Sequence, residues 1–414
     1  MRSIIITIGD ELLIGQVMNT NASFIAEKLT AAGVEVCRML TVSDDEPEIV
    51  KAFEEALPRY DLSIATGGLG PTHDDVTKKA VCRFFGVDLV PSPEVQRTIE
   101  EFLLQRNIPW SQAAEEQTLV PRGAVIIPNR RGTAPGELLE RDHRHLVVLP
   151  GVPHEMEGMM EEFVVPFVKE RSSGQVILNR TLKTTGISES ALAERIGAID
   201  QLLARGERLA FLPSASGVRM RISVTNSDRA AAERRISEIE SVIRARVGKY
   251  IYGADQEELE QVVGAILRER GLRIAVAESC TGGLIADKIT NVPGSSDYFE
   301  RGVVAYSNAS KIDLLHVPSR LINQHGAVSQ EVAEAMATGI RTVSGTDIGL
   351  STTGIAGPAG GTEEKPVGLV WIGYSDVSRT IAVKFQFGRE RLIIKQRAAQ
   401  ASLEMVRRRL LKIR

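Results

Sequence analysis

Along the chain, short apolar runs rich in β-branched residues alternate with stretches whose apolar positions recur every three to four residues. These are the two side-chain periods that separate buried strands from amphipathic helices. Ser3 to Ile8 predicts a strand, and Asn21 to Ala32 a helix with Phe24, Ile25 and Leu29 on one face, ended by Gly33. Pro47 suits the first turn of a second helix, striped by Ile49, Val50, Phe53 and Leu57. Leu62 to Ala65 predicts another strand, followed by a glycine-rich turn and a helix from Thr77 to Phe85 with Gly86 as its cap. Strands at Val125 to Pro128 and His145 to Leu149, then a helix from His154 to about Lys169, complete an α/β alternation.

Glu170 to Gly174 is charged, small and free of apolar residues, and marks a boundary. Beyond it, Val176 to Thr184, a helix at Ser188 to Ile199, an alternating strand Val218 to Val224 and a helix from Arg229 to Val247 predict a small α+β connector. From Gly253 the α/β texture returns: a helix Glu257 to Arg270, strands at Arg273 to Ala277, Gly302 to Tyr306 and Asp347 to Ser351, a helix Ser329 to Val343, and later strands Pro366 to Tyr374 and Thr380 to Phe387. The expected fold class is α/β: two three-layer domains with mainly parallel sheets, residues 1–170 and 253–414, joined by the connector at 171–252.

Composition narrows the function classes. Hydrophobic residues make up 43% and charged residues 25%, as in a folded globular chain. Fifty Lys and Arg against 53 Asp and Glu leave a formal charge of -3, without the basic excess of a dedicated nucleic-acid binder. Cys37, Cys82 and Cys280 form no CxxC pair, which argues against a disulfide framework or cysteine-based zinc site. The start, MRSIIITIGDELL, reaches Asp10 and Glu11 too soon for a signal peptide, and no apolar stretch is long enough to span a bilayer. A cytoplasmic protein with no membrane partner is expected.

Two strands of the first domain run into similar chemistry. Ile4 to Ile8 leads to Gly9-Asp10-Glu11, and Leu62 to Ala65 leads to Thr66-Gly67-Gly68-Leu69-Gly70-Pro71-Thr72-His73-Asp74-Asp75. Ligands of open α/β sheets bind beyond the carboxyl ends of strands, and glycines let backbone N–H groups approach an anion. Asp74 and Asp75 are suited either to capping the next helix or to holding a hard cation such as Mg²⁺; spacing alone leaves both open. The blocks GDELLIGQVMNTNASFIAEKL, GGLGPTHDDVT, NRRGTAPG and LPGVPHEM, in that order, resemble the N-terminal domain of the CinA family, similar in fold to molybdopterin-binding domains. The resemblance covers roughly residues 1–170 and implies a metal-dependent ADP-ribose pyrophosphatase. It would place a divalent metal on Asp10, Glu11, Asp74 and Asp75, and the phosphates on Gly67, Gly68 and Thr72. The fold relatives bind a pterin, so a pterin-binding domain without hydrolase activity is the alternative.

In the last domain, Ala277-Glu278-Ser279-Cys280-Thr281-Gly282-Gly283 follows a predicted strand and opens a helix. A hydroxyl there lies near N–H donors able to stabilise an oxyanion. Serine is also a common helix N-cap, and the local sequence by itself favours the cap. Gly302 to Asn308 ends a predicted strand in polar groups with Lys311 just beyond, Thr352-Thr353-Gly354-Ile355-Ala356-Gly357-Pro358 makes a glycine-rich turn, and Arg389 follows the last strand. The blocks AESCTGG, GVVAYSNASK, STTGIAGPAGGTEEKPVG and FGRERL resemble the C-terminal CinA domain from about Gly253 to the end. The resemblance implies hydrolysis of the carboxamide of nicotinamide mononucleotide, without a cofactor. Ser279 would be the nucleophile, Tyr306 and Lys311 the groups that deprotonate it and relay the proton, and Thr353, Gly354 and Arg389 substrate contacts. The family pattern has an acidic or amide residue between glycine and arginine; here Gly388 is followed directly by Arg389.

A lysine serves as base when burial or neighbouring charge leaves it neutral near pH 7. Adjacent Ser279 and Cys280 cannot both face one pocket, so Cys280 is expected to pack inward. His316 lies in a helical pattern and is likewise expected to pack. The rival class is a competence-associated interaction or DNA-binding protein, because Glu390 to Arg414 holds eight Lys and Arg against two acids. A solvated face around the stripe Leu392, Ile393, Ala399, Leu403 and Val406 accounts for those charges more simply. The expected partners are small nucleotides, nicotinamide mononucleotide and ADP-ribose, with a homodimer as the assembly and no nucleic acid.

Overall fold

The strand Arg2–Ile8 is buried along nearly its whole length, because its neighbours supply apolar cover on both faces. Ile4, Ile6 and Ile8 join Ile49, Phe53 and Ala80 on one side, and Ile5 joins Ile25, Leu29 and Met156 on the other. The period-2 pleat thus sends one continuous apolar run into two cores. A computed structural model describes residues 1–70, 75–171, 174, 176–204 and 206–413; Thr72, His73 and Asp74 lie outside them. The described chain separates into two compact units, residues 1–178 with 224–234 and residues 179–223 with 235–414.

In the first unit, six strands run in the order Glu35–Val42, Arg2–Ile8, Leu62–Thr66, Arg144–Leu149, Gly136–Arg141, Val125–Ile127. The first three pairings are parallel and the last two antiparallel. The fold is therefore α/β, with an antiparallel edge on a parallel core. The edge strand Glu35–Val42 has no sequence prediction, because most of its residues are exposed or half-buried and Arg38 interrupts it. The helix expected from His154 to Lys169 is α from Pro153–Met159, π over Met160–Val164, and α again over Val165–Arg171. Pro166 has no N–H and its ring opposes the preceding turn, which a π-bulge accommodates.

The second unit contains a five-stranded sheet ordered Phe299–Val304, Ile274–Glu278, Ile348–Gly354, Leu369–Ser375, Thr380–Gln386. The strand Ile274–Glu278 has parallel neighbours on both sides, and the last two pairings are antiparallel. Ile274 and Val276 pack with Ala398, Leu403 and Val406 of the terminal helix; Ala275 and Ala277 pack with Val332, Met336 and Ile340. A four-stranded sheet, ordered Glu207–Ser214, Gly217–Asn226, Val176–Thr184, Ile251–Ala254, forms the connector module.

Two expectations about this unit are corrected. His316 does not pack: it is exposed at the end of the helix Asn308–Leu315 in a left-handed conformation, φ 54°. On the terminal helix Arg391–Leu410 the stripe residues Ala399, Leu403 and Val406 are buried as expected, but Leu392 is not, and one of the charges is. Leu392 is 70% exposed whereas Arg407 is 3% exposed. Arg407 is drawn in because Glu404 meets its Nε at 2.7 Å and the Lys249 carbonyl accepts from its Nη2 at 2.9 Å.

Candidate active site

The strand Ile274–Glu278 ends where Ser279 N–H donates to the Thr352 carbonyl at 3.0 Å, one step beyond the regular ladder. The chain then turns through Gly282 and Gly283, both at positive φ, 61° and 95°. Glu278, 1% exposed, turns its carboxylate onto the start of the helix Leu284–Thr290. It accepts from the N–H groups of Gly283, Ile285 and Ala286 at 3.0, 3.1 and 2.9 Å. Capping of this helix is therefore the work of Glu278, and the Ser279 hydroxyl is left for another partner.

That partner is Lys311. The strand Phe299–Val304 stops earlier than its pattern predicts, so Ala305 to Ser307 form the approach to the next helix. Ser307 caps that helix by accepting from Ser310 N–H at 3.0 Å. Lys311 stands one turn in, and a helical side chain leans back towards its own N-terminus. Its Nζ therefore reaches the carbonyls of Ala305 at 2.8 Å and Tyr306 at 3.3 Å, and Ser279 Oγ at 3.1 Å. Lys311 is 1% exposed. Burial holds its pKa below the ordinary lysine value, favouring the neutral amine. Cys280 points the other way, into the apolar cluster with Ile285 and Ile394, and burial pushes its thiol up to about 12.

Thr353 is buried, and its hydroxyl donates to the Ala327 carbonyl at 2.7 Å. A Cβ at Gly354 would fall 2.7 Å from the Leu369 carbonyl oxygen, so this position requires glycine for close strand approach. Arg389 is exposed, and among the described residues its side chain makes no hydrogen bond or ion pair. Arg391, which is not among the expected site residues, donates to the Tyr306 hydroxyl at 3.2 Å and to the Gly357 carbonyl at 2.8 Å. Tyr306 itself is 62% exposed, its ring at the rim rather than buried beside Ser279. The signal for Arg391 was present in the same FGRERL block, but two arginines two positions apart cannot be told apart without coordinates.

A buried lysine on a serine hydroxyl at a strand end is a nucleophile–base arrangement, and comparison with known proteins gives it a context. Residues 256–410 match the CinA C-terminal domain, residues 179–253 the damage-inducible protein CinA KH domain, and residues 4–170 a probable molybdopterin binding domain. A putative competence-damage inducible protein of Caldicellulosiruptor saccharolyticus is 44% identical over 99% of this chain and 99% of its own. The chain belongs to the CinA family. A CinA-like protein of Chloroherpeton thalassium is 45% identical, covering 97% of this chain and 98% of its own. Among solved structures, the competence/damage inducible protein CihA of Agrobacterium tumefaciens is 37% identical over 36% of this chain and 91% of its own, with a TM-score of 0.35.

In the molybdopterin-binding-like domain of this CinA chain, the two glycine-bearing strand ends lie side by side. Gly67 has φ 121°, and a Cβ there would fall 2.1 Å from the Ile8 carbonyl oxygen; Gly68 has φ 63°. Thr77 Oγ1 donates to the Gly67 carbonyl at 2.9 Å and fixes the turn. Asp10 and Asp44 exchange contacts, each backbone N–H donating to the other's carboxylate, at 2.9 and 3.4 Å. Glu11, with Thr7, Asn19, Asn21, Thr66 and Gly151, lines a cavity of about 140 Å³. The carboxylate of Asp75 lies against Gly70, where a Cβ would come within 2.5 Å of it. Among the described residues, no three His, Cys, Asp or Glu gather closely enough to hold a metal ion. The described residues alone therefore do not make a metal centre. Also among the described residues, no helix is long and apolar enough to cross a membrane.

Proposed function

We propose that this CinA chain is a serine amidase that hydrolyses the carboxamide of nicotinamide mononucleotide to nicotinic acid mononucleotide and ammonia. The observation that carries the reading is the buried Lys311 amine 3.1 Å from Ser279 Oγ; the substrate follows from the CinA resemblance. A neutral amine has two N–H groups and one lone pair. The carbonyls of Ala305 and Tyr306 accept the two protons, and the lone pair faces the Ser279 hydroxyl.

Ser279 Oγ attacks the carboxamide carbon as Lys311 takes its proton. The C–N bond then breaks, and Lys311 returns the proton to the leaving ammonia. A water, deprotonated by the same amine, opens the Ser279 ester and releases the carboxylate and the free hydroxyl. Tyr306 and Arg391 form the rim over this centre, where a substrate phosphate would meet the guanidinium. Ammonia release from nicotinamide mononucleotide by the full chain, lost in Ser279→Ala and in Lys311→Met, tests the reading. Unchanged release in both variants would reject it.

For the first domain we propose binding of a nucleotide diphosphate, ADP-ribose, at the 140 Å³ cavity and the Gly67-Gly68 turn, as a pyrophosphatase with a divalent cation. Asn21 supports this reading by bridging the strand ends: its amide donates to the Gly151 carbonyl at 2.8 Å and to Thr66 Oγ1 at 3.3 Å, shaping a polar wall. Asp75→Asn should abolish cation-dependent ADP-ribose cleavage while thermal stability stays nearly unchanged. Retained cleavage with a loss of about 1 kcal/mol would identify Asp75 as a cap.

A further inference from the structure

We infer that the connector module carries a binding site for a small oxyanion-bearing metabolite, sharing no lining residue with the Ser279 centre. A cavity of about 240 Å³ opens between the strand Val176–Thr184, the hairpin turn at Ser214 to Gly217 and the segment Tyr252 to Glu258. Its chemistry comes from Lys183, Ser214, Ser216, Arg219, Tyr252 and Glu258.

The hairpin is pressed onto the strand. Gly217 has φ 146°, and a Cβ there would fall 2.0 Å from the Thr184 carbonyl oxygen, so no other residue fits. Thr184 Oγ1 donates to the Val218 carbonyl at 2.7 Å, and Ser214 Oγ donates to the Gly217 carbonyl at 2.9 Å. These contacts fix the edge on which Ser216 and Arg219 stand. On the neighbouring strand Lys183 is 6% exposed, a charge largely removed from water.

The balance of donors and acceptors decides what the cavity takes. Lys183 has three N–H groups and one side-chain acceptor, Glu258 Oε1 at 2.6 Å. Arg219 has five N–H groups, and among the described residues its side chain makes no hydrogen bond or ion pair. Among the described residues Glu258 is the one carboxylate lining the cavity, and it is already engaged by Lys183. Donors therefore exceed acceptors, and the complement is a group rich in acceptors that a guanidinium grips in two places: a phosphate ester or a carboxylate. At ~30 Å³ per water the volume equals roughly eight waters. That is room for a phosphate and a short carbon skeleton.

Crystals of the full chain soaked in tungstate, an anomalously scattering phosphate mimic, locate the site directly. The expected result is an anomalous peak between Arg219 and Lys183 that saturates as tungstate rises and is absent from Arg219→Gln crystals. Arg219 is exposed, so that variant retains the fold. In solution, inorganic phosphate and malonate titrated calorimetrically against both proteins distinguish the two ligand sources. The Arg219→Gln loss should be about tenfold or more, larger for phosphate if the ligand is a phosphate ester and larger for malonate if it is a carboxylate. A cavity without a peak, or identical titrations in the two proteins, would overturn the inference.

Discussion

The Arg391 guanidinium joins the Tyr306 hydroxyl, 3.2 Å away, to the Gly357 carbonyl, 2.8 Å away, tying the loop before one helix to the glycine-rich turn of another strand. Arg389, two positions earlier, is exposed and among the described residues holds no such bridge. Arg391→Ala is therefore expected to lower kcat/KM for ammonia release by about tenfold or more, and Arg389→Ala by much less. The reverse ranking would place the substrate's charge on Arg389.

As the proposed base, Lys311 would act only as a neutral amine, so kcat/KM should rise with pH and level off above a pKa lower than that of ordinary lysine. Lys311→Met should cost about 10²–10⁴-fold in kcat, whereas Cys280→Ala should stay within about tenfold. The same burial affects stability. A lysine whose folded pKa is depressed contributes stability above its unfolded value, and that stability is lost as pH falls through the folded one. Lys311→Met should therefore unfold at a higher temperature than the parent at low pH, with the gap closing as pH rises.

Glu137 gives the opposite sign. It is fully buried on the strand Gly136–Arg141, and among the described residues neither carboxylate oxygen has a hydrogen-bond partner. Burial pushes its pKa up to about 7, against the pull of the Lys78 ammonium. A carboxyl raised in this way stabilises the fold when protonated, and the contribution is lost as pH rises through about 7. Glu137→Gln should raise Tm at pH 8 by an amount equivalent to a few kcal/mol, and change it little at pH 4. Thermal melts of both proteins across that range check the sign.

Arg407 sets where the second unit can be cut. Its side chain donates to the carbonyls of Lys249 and Ile251 as well as pairing with Glu404. A fragment beginning at residue 256 loses those two acceptors and the strand Ile251–Ala254. One beginning at residue 179 keeps them. The shorter fragment should be less stable by about 1–3 kcal/mol, measured by urea unfolding. Equal midpoints and slopes would show that the connector adds nothing to the terminal helix.

Much of this was legible in the chain because the strongest signals are local. The run Ile4 to Ile8, the αL glycine at Gly86 and the Ser279 junction announce themselves by pattern, and the helix Arg229–Val247 matches its prediction at both ends. What stayed hidden depends on burial of charge. Nothing around Lys183, Glu137 or Arg407 distinguishes them from solvated residues, since only tertiary neighbours decide whether a charge leaves water. The helix cap hid for a related reason. Serine is the expected cap at residue 279, yet the buried carboxylate one position earlier takes the three donors.

That capping choice reaches beyond the helix. An unfilled helix start beside a nucleophile attracts phosphate through backbone dipoles that salt screens weakly at close range. With the Glu278 carboxylate resident there, an incoming anion finds the place taken by a like charge. Its attraction must come instead from cations around the mouth: Arg389, Arg391, and Lys395, whose ammonium stands near Gly282. Those side chains are wholly or partly in contact with water, so the capture step is a long-range encounter governed by the ionic atmosphere. The proposed chemistry at Ser279 and Lys311, both buried, is insulated from it. In the proposed reaction, binding and bond cleavage thus answer to different surroundings, the first to the solution and the second to the protein interior.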